Sequence, residues 1–207
     1  SRGLGDVYKR QVFIADEVQP GFARTGQAFF GFARHGIVPD MITMGKPMGN
    51  GIPISGLAAK EDVLAAFSDK LPYFNTFGGN PVSIAAAQAV LKYIKDENLQ
   101  EHCKKAGAAL LKALKEVQER HPESVGDVRG AGLFLGFEFV KNDGNKTPDK
   151  DMALNVIEML RDEHILTSVI GHYGNILKLR PPMVFSENDI DWFATSLDKC
   201  ITKLENK

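Results

Sequence analysis

Two short, largely apolar runs each stop at a residue able to do chemistry, and this pairing constrains the fold more than any other feature of the chain. Val12-Phe13-Ile14-Ala15 ends in Asp16-Glu17, and Met41-Ile42-Thr43-Met44, entered through the turn signal Pro39-Asp40, ends at Gly45-Lys46. The first run reads as a strand buried on both faces. Beyond Lys46, the residues Pro47, Gly49, Asn50, Gly51 and Pro53 exclude regular structure, and Ile54 to Ala59 reads as another strand. Strands that end in polar loops between helical segments predict an open, mostly parallel α/β sheet, in which ligands lie outside the carboxyl ends of the strands. Asp16 and Lys46 both fall there.

Further along, a Gly-rich turn at Gly78-Gly79-Asn80-Pro81 leads into Val82 to Ile94, which reads as a buried Ala-rich helix with Pro81 near its first turn. Leu99, Cys103, Ala106, Leu110, Leu114 and Val117 recur at three- and four-residue intervals. That spacing predicts an amphipathic helix over Glu97 to Arg120, ended by His121-Pro122. The types then alternate: strand Leu133 to Val140, polar turn Asn142 to Asp149, helix Asp151 to Glu163, strands Ile165 to Val169 and Ile176 to Arg180, helix Glu187 to Leu204. The expected organisation is residues 12–96 as part of a sheet domain, and 97–207 as a linking helix with a smaller, distinct α/β domain. Ser1 to Gln11 begins without Met, carries no apolar signal core and gives way abruptly to the first strand, as a non-native leader on a truncated product would.

Composition narrows the partners. Twenty-five basic and 26 acidic residues, well mixed, give a net charge of -1, with no basic stripe for nucleic acid and no polybasic membrane anchor. Small molecules or a second subunit remain. Cys103 and Cys200 show neither CxxC spacing nor disulfide density, which points to a reducing, cytoplasmic setting. His35, His102, His121, His164 and His172 lack metal-ligand spacing and read as surface or structural.

Taken singly, Lys46 is a solvated lysine after a strand, Asp16 a strand-end cap or ion-pair partner, and Thr76 a turn residue. Together their surroundings say more. The segment Ala15-Asp-Glu-Val-Gln-Pro-Gly-Phe-Ala-Arg-Thr-Gly26, then Pro39-Asp-Met-Ile-Thr-Met-Gly-Lys46, then Asn75-Thr-Phe-Gly-Gly-Asn-Pro81 resembles the signature of the class III aminotransferases, enzymes of fold type I that use pyridoxal 5′-phosphate (PLP). Val128-Arg-Gly-Ala-Gly-Leu133 and Leu177-Lys-Leu-Arg-Pro-Pro-Met183 resemble the C-terminal domain of that family. The resemblance covers Val12 to Thr202.

It implies a partial PLP-binding large domain followed by a complete small domain. Lys46 would form the Schiff base with PLP, since a lysine held near a cationic ring loses its proton more readily and becomes nucleophilic. Asp16 would pair with the pyridinium nitrogen, Val18 would pack on the ring face, and Gln19 would bond the ring oxygen. Thr76 would reach the phosphate in the partner subunit, making the protein a homodimer with composite sites. Glu17 would either neighbour the substrate pocket or help orient Arg24. The implied reactants are an amine or amino acid and a 2-oxo acid.

The sequence departs from the family at the substrate carboxylate. Where an arginine is common, Lys178 stands, with Arg180 two residues on and on the same strand face. A lysine lacks the planar fork that fits a carboxylate with two hydrogen bonds. Met44-Gly-Lys-Pro-Met-Gly-Asn-Gly51 and Lys-Leu-Arg-Pro-Pro-Met look closer to the branch of alanine–glyoxylate aminotransferase-like proteins and phospho-lyases acting on phosphoethanolamine or phosphohydroxylysine. The readings left open are transaminase, PLP-dependent phospho-lyase, and an inactive dimerisation module.

Overall fold

A computed structural model describes residues 11–206, so the expected leader, apart from Gln11, lies outside the described residues. The chain divides into two compact units between Gln100 and Glu101.

The first unit holds three strands in the order β1 (Ile14–Asp16), β2 (Met41–Met44), β3 (Gly56–Ala59). β1 runs parallel to β2, with Asp16 opposite Thr43, whereas β3 runs antiparallel to β2. The mostly parallel expectation therefore holds for β1 and β2 and fails for β3. The reason is length: the link from Gly45 to Ser55 contains only a single 3-10 turn, Lys46–Gly49, too little for a parallel crossover. The first strand also differs from expectation. Ala15 is buried, but Val12 and Ile14 are each 51% exposed, because none of the described residues of this unit covers that face.

Two helices follow. α1 (Glu61–Ser68) was not foreseen; it begins after β3 with Glu61 and Asp62 in its first turn, where carboxylates complement the helix dipole. α2 (Pro81–Asp96) starts where Asn80 accepts hydrogen bonds from the N–H groups of Val82 (3.0 Å) and Ser83 (3.3 Å), with Pro81 in the first turn. Contrary to expectation α2 is not a buried helix. Ile94 is buried, but Val82 is 69% and Tyr93 51% exposed. A left-handed Asn98 (φ 48°) then separates it from α3 (Leu99–Arg120).

The second unit is a four-stranded antiparallel sheet with helices packed on it. Its strands are β4 (Val125–Ala131), β5 (Phe134–Phe139), β6 (Ser168–Ile170) and β7 (Ile176–Leu179), in the order β4-β5-β7-β6. The helices within it are α4 (Lys150–Asp162) and α5 (Glu187–Glu205). Strand β4 went unrecognised in the sequence, and the strand expected from Ile165 begins at Ser168. Cys103, Ala106, Leu110, Leu114 and Val117 of the amphipathic pattern are all buried here, against Phe137, Leu177, Val156 and Leu197. Both cysteines are free and buried. Among the described residues no helix is long and apolar enough to cross a membrane, and no group of three His, Cys, Asp or Glu could hold a metal.

One histidine has a definite structural post. His121 is 6% exposed, with Nδ1 2.7 Å from Glu205 Oε2 and Nε2 3.1 Å from Asp198 Oδ1, and Arg120 Nε donates to the same Asp198 oxygen at 2.7 Å. Burial pushes the Asp198 carboxyl up, but Arg120 and His121 together outweigh it and hold the group below its ordinary value. A depressed folded-state value means that the stabilisation is present at neutral pH and is lost as pH falls through that value. Asp198→Asn is therefore expected to flatten the acid limb of a plot of urea midpoint against pH.

Gly107 offers a second test. It lies inside α3, where alanine would ordinarily be preferred by about 1 kcal/mol. Here an added Cβ would stand 2.3 Å from the Gly132 backbone, which cannot yield as a side chain could. Gly107→Ala should destabilise the chain by roughly 1–3 kcal/mol in chemical denaturation, reversing the helix preference.

Candidate active site

The first unit brings the predicted chemistry to one end of its sheet. Asp16 is the last residue of β1, and Lys46 follows β2 by two residues, so both lie at the carboxyl ends of adjacent parallel strands. Gly45 (φ -173°, ψ -124°) turns the chain out of β2, and Lys46 opens the 3-10 turn with its side chain exposed. An added Cβ at Gly45 would lie 3.7 and 3.8 Å from the two methyls of Val18, so Val18 rests against the backbone that carries Lys46. Asp16 Oδ1 accepts the Val18 N–H at 3.0 Å, and Gln19 is exposed beside it.

Lys46 lines an open cleft of about 730 Å³ together with Met48, Ile54, Asn75, Gly79 and Ser83. The amino end of α2 thus forms one wall. Asn75 Oδ1 accepts the N–H groups of Phe77 (3.1 Å) and Gly78 (2.9 Å), which shapes the loop around Thr76. Thr76 itself is exposed and is not part of the wall. Met48 and Ser83 were given no role from the sequence, whereas the motif Asn75 to Pro81 signalled the wall to which Asn75, Gly78, Gly79 and Asn80 belong.

Glu17 points the other way. It is 2% exposed, and its two carboxylate oxygens accept the N–H groups of Gly31 and Phe32, each at 2.7 Å.

Lys178 and Arg180 belong to the second unit, where both line a cavity of about 430 Å³ with Thr167, Ser168, Phe185 and Trp192. β7 ends at Leu179, so Arg180 stands one residue past the strand in which it was expected. Its guanidinium lies 3.3 Å from the centroid of the Phe134 ring, and Nη1 donates to the carbonyls of Leu135 (2.6 Å) and Leu179 (2.8 Å). Lys178 has no ion pair among the described residues.

The donor set of the first unit fits PLP: an exposed amine on a cleft wall, a carboxylate at the neighbouring strand end, an isopropyl group between them, and a Gly-rich loop able to approach a phosphate. Comparison with known proteins decides the family. The family model described as "Aminotransferase class-III" matches residues 8–201. The chain belongs to the class III aminotransferases. Members of this family and the phospho-lyases related to them are PLP-dependent, and the α/β architecture is that of fold type I.

Among curated relatives, the chain is 44% identical over 194 residues to ethanolamine-phosphate phospho-lyase homolog 1 of Caenorhabditis elegans. It is 40% identical over 193 residues to alanine–glyoxylate aminotransferase 2 homolog 2, mitochondrial, of Arabidopsis thaliana. These matches cover 92% and 93% of the chain but only 41% and 40% of the relatives. Among solved structures, a phospholyase from Arthrobacter in complex with phosphoethanolamine superposes with a TM-score of 0.90 at 37% identity, covering 96% of this chain and 48% of that one. A transaminase from the marine bacterium Virgibacillus gives 0.89 at 31% identity, covering 99% and 48%. The chain therefore spans less than half the length of these class III proteins. Because one relative is named as mitochondrial, membership does not carry the cytoplasmic expectation.

Proposed function

We propose that the chain is part of a PLP-dependent aminotransferase that passes an amino group from an amine or amino acid to a 2-oxo acid. The observation that supports this most is the placement of Lys46 and Asp16 at the same end of two paired parallel strands, with Val18 resting on Gly45 between them. When bound, PLP supplies an electron sink for the charge left as a proton leaves the carbon beside the substrate nitrogen. Lys46 provides the amine that attaches the cofactor and afterwards carries that proton. Asp16 keeps a proton on the ring nitrogen, Val18 packs on the ring, and Gln19 bonds the ring oxygen. Thr76 contacts the phosphate bound to the other subunit of a homodimer, and Lys178 and Arg180 supply cationic charge for the substrate.

A second reading, elimination of phosphate from a phospho-amine such as phosphoethanolamine, is favoured by Lys178. Phosphoethanolamine has no α-carboxylate, so the arginine fork has nothing to grip and its loss carries no penalty. The names of the 44% relative and of the Arthrobacter structure point the same way. An inactive dimerisation module is disfavoured by the presence of Asp16, Lys46 and Thr76 together.

Two assays on the full-length protein separate the readings: release of inorganic phosphate from phosphoethanolamine marks the lyase, and new amino acid from an amino donor plus pyruvate or glyoxylate marks the transaminase. Lys46→Ala should lower either activity by on the order of a thousandfold, whereas a scaffold would be indifferent to it. Titrated with PLP, the 207-residue chain alone is expected to give only a weak visible absorbance band and negligible turnover, since its relatives are more than twice as long as the segment it matches. A strong band with measurable transamination would contradict this.

A further inference from the structure

Resting on the site reading above, we infer that Glu17 is a positioning residue: its buried carboxylate closes the 18–32 loop and thereby fixes Asp16 and Val18 against the lysine turn. Four bonds converge on this one residue. Its N–H donates to Thr43 O at 2.9 Å, its carbonyl accepts the Gly21 N–H at 3.2 Å, and its carboxylate takes the Gly31 and Phe32 N–H groups at 2.7 Å each. The first ties the end of β1 to β2, and the others tie the loop to that end. Its two neighbours in sequence are the carboxylate and the isopropyl group assigned to the cofactor.

The surroundings are built for this side chain. A Cβ added at Gly21 would stand 2.6 Å from Glu17 O and 3.3 Å from Glu17 Cβ, and one at Gly31 would stand 2.8 Å from Pro20 Cβ and 3.3 Å from Glu17 Oε2. A side chain at Gly21 would collide with the backbone of Glu17, and one at Gly31 would crowd both Pro20 and the carboxylate. Phe22, Phe29, Phe30 and Phe32 cluster in the same loop, with ring centroids 5.0 to 6.4 Å apart. With Glu17 only 2% exposed, its carboxylate is screened from water, which strengthens the charge-assisted bonds.

The loop needs such a clasp. Phe22 (φ 60°) and Ala23 (φ 66°) are consecutive non-glycine residues in the left-handed region, a conformation that persists only where the surroundings impose it. The buried Thr25 hydroxyl finds no hydrogen-bond partner among the described residues, so it does not hold the loop. The carboxylate reaches 14 and 15 residues along the chain to do so.

Glu17→Gln in the full-length protein is the test. The amide keeps the shape but turns one acceptor into a donor that faces a buried N–H. Amide exchange at Gly31 and Phe32 should accelerate whether or not PLP is present. The Kd for PLP should rise about tenfold and kcat fall with little change in the KM for the amine, as expected for one buried hydrogen-bond mismatch felt at the cofactor. Glu17→Asp, which keeps the charge and can still hold one N–H, should fall between wild type and Glu17→Gln, and it serves if the amide variant does not fold. A purely structural glutamate would lower the melting temperature while leaving Kd and kcat per folded site within about twofold, which overturns the proposal. Unchanged exchange at Gly31 and Phe32 overturns it as well. Lys46→Ala distinguishes the two levels: if it is inert and Glu17→Gln unimpaired, only the positioning role falls, and if it turns over normally, the site reading falls too.

Discussion

The parallel pairing of β1 with β2 is the constraint on which the site depends. β1 has only three residues, too few to hold a register by its own ladder, and a slip of one residue would turn Asp16 to the other face of the sheet. The register is pinned at both ends. At the entry, Asp40 Oδ2 accepts the Phe13 N–H at 2.9 Å while Phe13 O accepts from the N–H groups of Asp40 and Met41. At the exit, the Glu17 N–H meets Thr43 O. Asp40 also holds Lys60 at 2.7 Å, which ties the entry to the residue that follows β3. With both ends fixed, the alternation of the strand aims Asp16 and buries Ala15.

The two units divide stability and chemistry between them. In the second unit, helices and sheet enclose a shared core in which Leu114, Val117, Phe137, Phe139 and Leu177 are wholly buried. In the first, the buried apolar residues are few, and two of them, Phe22 and Ala23, belong to the loop clasped by Glu17. The residues assigned to the cofactor therefore sit in the unit with the smaller core. Hydrogen bonds to backbone, rather than packing, set their positions there. Those bonds are directional, and they suit a site whose geometry matters more than its bulk.

This division also explains what the sequence reveals. The α3 pattern is legible to the residue because a 3.6-residue period states which face is apolar, and all six positions are buried. The same logic misleads at α2 and at Val12 to Ala15, since a pattern names an apolar face without naming what covers it. β4 escapes because Gly126, Gly130, Asp127 and Arg129 break its alternation and a register shift between Val125 and Asp127 disturbs it further. β3 turns antiparallel for want of a crossover, a matter of counting residues from Gly45 to Ser55. In the site, Asp16 and Lys46 are readable from motif order. The partners of Glu17 are not, because a backbone N–H leaves no mark on the amino-acid code.

The same limit applies to the two cations of the second unit, which look equivalent in Lys-Leu-Arg but are not. Arg180 donates from Nη1 to two backbone carbonyls and lies over the Phe134 ring, so it braces the junction of β5 and β7 as well as lining the cavity. Lys178, half-buried on the wall of the same cavity, keeps a compact ammonium. A guanidinium fork selects a planar carboxylate by matching two bonds at once, whereas an ammonium attracts a carboxylate and a tetrahedral phosphate on similar terms. On the proposed function, an arginine-to-lysine exchange at this position would broaden the range of anions accepted rather than abolish the charge. That is the change expected of a chain whose relatives include both proteins named as aminotransferases and proteins named as phospho-lyases.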